Sequence, residues 1–257
     1  MRYALFSDIH ANLPALEALF TAMDAQKPDA VYCLGDLVGY NIWPNEVVDQ
    51  IRQRKIPTLA GNYDFGIGRS SNDCGCAYKT DEEKANGAIS IAYTNEIVKQ
   101  EQRNYLRSLP AHINVSFQLN DDTINLLLVH GSPRRINEYL FEDREEKSML
   151  RIMRDANAHI LCFGHTHKPY HRILEDEVDG KTIYRHAINI GSVGKPKDGD
   201  PRGGFVMLTF DENTTLENRN SIQVEFIRFA YDVEKAARAV EESPLPNAYA
   251  RALREAR

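Results

Sequence analysis

Five short stretches of this sequence collect the side chains that bind divalent metal ions. They are Asp8-Ile9-His10, Gly35-Asp36, Gly61-Asn62-Tyr63-Asp64, His130-Gly131 and Gly164-His165-Thr166-His167. Each follows a short apolar run, so each carboxylate, amide or imidazole falls where a strand ends. Carboxylate oxygen suits hard divalent ions, and imidazole nitrogen suits borderline ones. A mixed Asp/Asn/His set therefore favours Mn²⁺, with Fe²⁺, Ni²⁺ or Zn²⁺ also fitting, over Ca²⁺ or Mg²⁺. One such piece means little, since a histidine before glycine at a strand end is usually structural. Five together, each at the carboxyl edge where open α/β sheets bind ligands, point to a metal site.

The intervening sequence has to position these groups, and its periodicity says how. Arg2 to Ser7 reads as a strand. Asn12 then caps a helix through about Gln26, with Leu13, Leu16, Leu19, Phe20 and Met23 at helical spacing. Strand Ala30–Leu34, helix Pro44–Arg54 and strand Ile56–Ala60 continue a β/α alternation, which predicts parallel strands joined by right-handed crossovers. Residues 65–105 break the pattern with a glycine- and serine-rich first half and a polar, helix-like second half. We read them as an excursion over the active face. Its Cys74-Gly75-Cys76 is too little for a zinc site. Asn114–Leu119 and Ile124–His130 predict a hairpin turned at Asn120-Asp121-Asp122. A helix at Arg144–Asn157 and strands at Ala158–Phe163, Thr182–Ile190, Gly204–Phe210 and Ser221–Phe229 follow. Helices close the chain from about residue 231. No repeat or linker interrupts it, so a single domain over residues 1–257 is expected.

Composition narrows the class. A chain of 257 residues with 42% hydrophobic and 26% charged residues can bury a substantial core and is not disordered. Its net charge of −6 argues against a general nucleic-acid binder, which carries a basic excess. The first apolar run is too short for a signal peptide and is broken by Asp8. No run approaches the roughly 18 residues that span a bilayer. Cys33, Cys74, Cys76 and Cys162 do not resemble a disulfide framework. A cytoplasmic protein without membrane or nucleic-acid partners is therefore expected. The Gly131-Ser132-Pro133 loop and the 65–105 excursion are the segments at which a homo-oligomer would form.

The ordered set D-x-H, GD, GN-x-D, HG and GH-x-H resembles the calcineurin-like metallophosphoesterase superfamily. Two further segments, LVHGSPRRINEYL and NIGSVGKPKDGDPRGGF, resemble its small bacterial and archaeal phosphodiesterase branch. The resemblance covers residues 1 to about 210. It implies a four-layer α/β/β/α sandwich and a two-metal centre. One ion would take Asp8, His10 and His167, the second Asn62, His130 and His165, and Asp36 would bridge them. The implied reaction is metal-dependent hydrolysis of a small phosphoester by a dimetal-bound hydroxide. Tyr63 and Asp64 complete the implied catalytic set. Asp64 would orient a neighbour and not bind metal. Tyr63 stands where most of the superfamily has histidine, and a phenol with a reference pKa of about 10 is a poor proton carrier at neutral pH. That departure favours phosphodiesters over a phosphomonoesterase or protein phosphatase. A scaffold that keeps the fold without the chemistry is the other reading, and the filled ligand positions oppose it. Asn12, Arg134 and Arg202 are candidate contacts to substrate phosphate, though Asn12 equally reads as a helix cap.

Overall fold

The computed structural model describes residues 1–120 and 122–257. Strand β1 (Arg2–Phe6) leads through Asn12 into α1 (Leu13–Ala25). The Asn12 side chain accepts a hydrogen bond from Ala15 N–H at 3.2 Å, satisfying a donor that the first helical turn leaves free. Strand β2 (Ala30–Cys33) and helices α2 (Pro44–Gln53), α3 (Asn62–Gly68), α4 (Asp81–Ile97) and α5 (Gln100–Ser108) follow. Next come β3 (His112–Leu119), β4 (Asp122–Val129), α6 (Glu146–Asp155) and β5 (Ile160–Phe163). The chain ends with β6 (Tyr170–Val178), β7 (Lys181–Asn189), β8 (Gly203–Thr209), β9 (Gln223–Phe229), α7 (Val233–Glu241) and α8 (Asn247–Glu255).

The strands form two sheets, ordered β2-β1-β8-β9 and β3-β4-β5-β7-β6. Pairing is parallel for β1/β2, β4/β5 and β5/β7, and antiparallel elsewhere. Alternation along each strand assigns one face inward and one outward. Tyr3, Leu5, Val206 and Leu208 of the first sheet meet Leu126, Leu128, Ile160 and Ile188 of the second. The opposite face of the first sheet, with Ala4, Phe6, Phe205 and Met207, packs against α1, α2, α7 and α8. Leu127, Val129, Leu161 and Phe163 pack the second sheet against α6. The result is the expected four-layer α/β/β/α sandwich. Fully buried positions such as Leu128 hold the layers together, and truncating one to alanine costs about 2–5 kcal/mol.

Three local readings change. Ile56–Ala60 is not a strand but a single parallel bridge, Cys33 to Thr58, because Pro57 has no N–H to extend the ladder. The first part of the 65–105 excursion is helical, since α3 runs through Gly66 and Gly68. Strand β6 escaped the sequence reading. It is an edge strand whose outward positions carry Glu175 and Glu177, while Arg172 and Asp176 interrupt the face of Tyr170 and Leu174, which masks its apolar alternation. The β3/β4 hairpin closes with Leu119 opposite Asp122, and the predicted turn residue Asp121 lies outside the described residues. Among the described residues, no helix is long and apolar enough to cross a membrane.

Candidate metal centre

The candidate ligands sit on tight turns where strands of both sheets stop. Five of them have left-handed backbone: Asp8 (φ 57°), His10 (φ 51°), Asp36 (φ 55°), His165 (φ 66°) and His167 (φ 60°). Such conformations cost a non-glycine residue about 1–3 kcal/mol each and persist only where surroundings enforce them. Cross-loop hydrogen bonds do so here. Asp8 N–H donates to Gly35 O and His10 N–H to Asp36 O, both at 2.9 Å. Glycines give the room. A Cβ on Gly61 would lie 2.0 Å from Asp36 Oδ1, and one on Gly164 would lie 2.4 Å from Asp8 Oδ2.

These turns gather two groups of three buried side chains: Asp8, His10 and His167, and Asp36, His130 and His165. Within each group the potential ligand atoms all lie within 4.8 Å of one another. Asp36 Oδ2 is 3.3 Å from His130 Nε2 and 3.6 Å from His10 Nε2, so one carboxylate touches both groups. Asn62 joins the second group, with its Oδ1 3.1 Å from His130 Nε2.

The donor set fits cations. The Nδ1 atoms of His10, His130 and His167 face the carbonyl oxygens of Val38, Leu34 and Lys195 at 3.0, 2.8 and 2.5 Å. A carbonyl only accepts, so Nδ1 carries the proton and the Nε2 lone pair of each ring points inward. Two such nitrogens, of His10 and His167, then face each other at 3.1 Å. The Asn62 Nδ2 group donates to Cys74 O at 2.8 Å, which turns its carbonyl oxygen toward His130. Acceptor therefore meets acceptor at both groups, and a shared positive charge between them resolves the repulsion. Asp8 Oδ1 and His165 Nε2 are buried without a hydrogen-bond partner, which leaves both free to ligate.

Electrostatics say the same. Burial opposes ionisation of Asp8, but the imidazoles of His167 and His130 outweigh it and hold the carboxyl well below its usual range. Asp36 is likewise lowered against burial, chiefly by His130. Burial works against protonating His130, yet Asp36 and Asp8 raise it to about 10. A proton there stands in for a cation. Burial, with His130 adding to it, lowers His165 to about 4, and burial with the Lys197 charge lowers His167 to about 3. Both offer neutral nitrogen, the form a metal takes.

Asp64 does not face the cluster. Its Oδ2 accepts from Asp36 N–H (2.7 Å) and Gly61 N–H (3.0 Å), and its Oδ1 from Leu37 N–H (2.9 Å). Burial and the Asp36 charge raise its carboxyl to about 7. It is a positioning residue for the Asp36 turn. Tyr63 is buried in the wall of the site, its ring 5.5 Å from His10 and 4.7 Å from Tyr40, with its hydroxyl unpartnered. Burial keeps that phenol protonated well beyond neutral pH.

The three candidate phosphate contacts already have protein partners. Asn12, the α1 cap, also donates from Nδ2 to Gly194 O at 2.9 Å and to the Tyr231 hydroxyl at 3.3 Å. Arg134 is exposed and paired with Glu138, and Arg202 is exposed and paired with Asp200. Sequence reasoning overlooked Asn189, which donates to Gly164 O and to the Thr166 hydroxyl oxygen, both at 2.9 Å, and so shapes the GH-x-H turn. It overlooked Lys197 too. Neither has a local signature. The Asn-Ile-Gly-Ser run after a strand is the one hint, since asparagine and serine are the residues that tie loop backbone. Cys74 and Cys76 are free thiols, and the Cys74 carbonyl serves to orient Asn62.

Buried carboxylates and imidazoles gathered where two sheets meet are groups that could hold metal ions. Comparison with known proteins agrees. The family model of the calcineurin-like phosphoesterase superfamily domain matches residues 1–213, and the chain belongs to that superfamily, a metal-dependent one. It is 32% identical over 254 residues to an uncharacterized protein of Methanocaldococcus jannaschii, covering 95% of this chain and 93% of that one. Identity to a UDP-2,3-diacylglucosamine hydrolase of Vibrio cholerae is 25% over 201 residues, 67% of this chain and 82% of the relative. A metallophosphoesterase from Sphaerobacter thermophilus has the same fold at a TM-score of 0.74, with 27% identity and 100% of both chains covered. A hypothetical protein from Pyrococcus horikoshii also reaches 0.74, at 22% identity over 98% of this chain and 97% of that one.

Proposed function

We propose that this phosphoesterase hydrolyses phosphodiester bonds of small, nucleotide-like substrates at a centre of two divalent cations, Mn²⁺ foremost. The observation that carries the reading is the pair of buried three-residue groups sharing Asp36, in which acceptor faces acceptor. Asp8, His10 and His167 would hold one cation and Asn62, His130 and His165 the other, with the Asp36 carboxylate between them. Bound there, the cations would lower the pKa of a water and offset charge on the phosphoryl oxygens.

The chain's own residues prepare that chemistry. Val38, Leu34 and Lys195 carbonyls fix three imidazoles in the tautomer that leaves Nε2 free. Asp64 fixes Asp36 through backbone N–H groups on both sides of the turn. Tyr63 supports the diester preference, because a phenol at that position is a hydrogen-bond donor and not a proton shuttle at neutral pH. Monoesters with poor leaving groups depend most on such a shuttle. The name of the Vibrio cholerae relative, a UDP-2,3-diacylglucosamine hydrolase, supports a nucleotide-like substrate.

The test is hydrolysis of an aryl phosphodiester and its matching monoester by chelator-stripped protein, before and after Mn²⁺ is restored. Metal-restored cleavage favouring the diester is expected, with Tyr63→His moving the ratio toward the monoester. Monoester preference in the unaltered protein would sink the argument from Tyr63. Inactivity on both substrates with metal demonstrably bound would overturn the reading as a whole.

A further inference from the structure

The segment from Ile190 to Arg202 carries the chain from the second sheet back to the first, past the candidate ligands. Backbone contacts hold it there. Val193 N–H donates to Ser7 O at 2.9 Å, Gly194 N–H to Asp8 O at 3.0 Å, and Lys197 N–H to His167 O at 3.2 Å. The Ser192 hydroxyl also donates to Asp8 O, at 2.8 Å, and accepts from Lys195 N–H at 2.9 Å. At position 194 only glycine fits, since a Cβ would lie 1.8 Å from Ile9 O. Lys195 and Lys197 are thus positioned as firmly as the ligands beside them.

Lys195 is only 6% exposed. A lysine that deep ordinarily meets a carboxylate, because a buried unpaired charge is costly. Among the described residues none lies within ion-pair distance of it. Its ammonium instead lies over the Tyr40 ring at 4.7 Å and 6.0 Å from the Tyr249 ring. Tyr40 in turn packs edge-on against His10 with ring centres 4.8 Å apart. Lys197, two residues further along the same segment, is half-buried and tied by its backbone N–H to His167 O at 3.2 Å. The segment thus sets two lysines beside the centre, and among the described residues neither has a carboxylate within ion-pair distance, an arrangement that an anionic ligand relieves.

Tyr63 points independently to the same ligand. Without an imidazole to protonate it, the leaving oxygen must be one that departs as an anion. A phosphate leaving group, whose second pKa is about 6, does so readily. Lysine ammonium groups are point charges suited to phosphate.

We propose that Lys195 and Lys197 form a second anion subsite that holds the non-scissile phosphate of a diphosphate diester. The proposal rests on the phosphoesterase reading above. In such a substrate water adds to one phosphorus and the bond from that phosphorus to the bridging oxygen breaks. The bridging oxygen leaves on the second phosphate, held by the two lysines. Two phosphomonoesters form, and the two protons of the water pass to the product phosphates and to solvent.

The test compares pyrophosphate with orthophosphate by titration calorimetry, using the full chain with Mn²⁺ in excess over the probe so that the probe does not strip the site. In parallel, acetic anhydride labelling read by mass spectrometry reports how far each probe shields Lys195 and Lys197. Pyrophosphate is expected to bind at least about tenfold tighter than orthophosphate and to shield both lysines. Lys197→Gln should bring the ratio below about threefold, while Lys197→Arg keeps it. Lys195→Met should act like Lys197→Gln; if it does not fold, Lys197→Gln and the labelling still decide. A ratio near one in the unaltered protein, or an unchanged ratio in Lys197→Gln, overturns the subsite. Aryl diester hydrolysis without lysine-dependent pyrophosphate binding would leave the phosphoesterase reading and remove the subsite. Lysine-dependent binding in a chain that hydrolyses no phosphoester would do the reverse.

Discussion

Replacing Gly61 with alanine tests how tightly the shared carboxylate is held. The new Cβ would lie 2.0 Å from Asp36 Oδ1, 2.3 Å from Asp36 N and 2.6 Å from Asp36 Cγ. A carbon and an oxygen that are not bonded settle no closer than about 3 Å, so the Asp36 turn and the start of α3 must part by about 1 Å. Asp36 Oδ1 also accepts from Tyr63 N–H at 2.9 Å, and Oδ2 faces His130 and His10. The turn thus cannot retreat without moving the carboxylate off both groups. Loss of one supporting contact typically weakens metal binding about 10–100-fold, or about 1.4–2.8 kcal/mol. The strain itself should destabilise the metal-free protein by about 1–3 kcal/mol. Mn²⁺ titration calorimetry and urea unfolding measure the two effects separately. Gly204→Ala is the control: its Cβ meets Arg228 Cδ at 3.4 Å, ordinary contact, and the atoms nearest to it all belong to that arginine rather than to a candidate ligand. Mn²⁺ affinity in Gly61→Ala within threefold of the unaltered protein would refute the claim that this glycine sets the Asp36 position.

Two further predictions concern stability. Burial, with His171 adding to it, lowers His186 to about 3, against about 6.5 in an unfolded chain. The unfolded chain then binds a proton that the native one refuses, so stability falls as pH drops from about 6.5 toward 3, by about 2 kcal/mol between pH 7 and pH 5. His186→Gln should lose about 2 kcal/mol less over that interval in urea unfolding, and equal pH dependence would contradict the assignment. Asp176 is buried between Arg185, at 2.5 Å, and Arg154. Asp176→Ala strands the buried Arg185 charge and should cost about 3–5 kcal/mol. A loss under about 1 kcal/mol would show that the guanidinium finds another partner.

The strand-end motifs were readable because their chemistry is carried by residue type and their location by the apolar runs before them. Asp8, His10, Asp36, His130, His165 and His167 converge as that pattern implied. What escaped depends on contacts distant in sequence. Lys197 matters because Ser7, Asp8 and His167 backbone pin its loop, and nothing near residue 197 encodes that. Arg202 looked like a phosphate ligand in a glycine-rich loop, yet Asp200, two residues earlier, takes its guanidinium. Asn12 was readable in both its roles, and the cap prevails because α1 needs an acceptor for Ala15 N–H. The strand expected at Ile56–Ala60 failed on a single atom, the missing amide hydrogen of Pro57. Edge strand β6 failed because charged residues on both of its faces hide a period of two.

The first sheet contributes Asp8, His10 and Asp36, and the second contributes His130, His165 and His167. Each three-residue group draws on both sheets, so no cation could be held by either sheet alone. A bound ion would therefore rivet the sandwich at one rim, adding about 2.7 kcal/mol to stability at a free concentration a hundred times its dissociation constant. That energy would be lost wherever the sheets separate, even if every strand stayed paired. Amide exchange at the site-facing ends of β1 and β5 should then slow together on adding Mn²⁺ and quicken together on chelation, as two leaves of one hinge do when the pin is set or drawn.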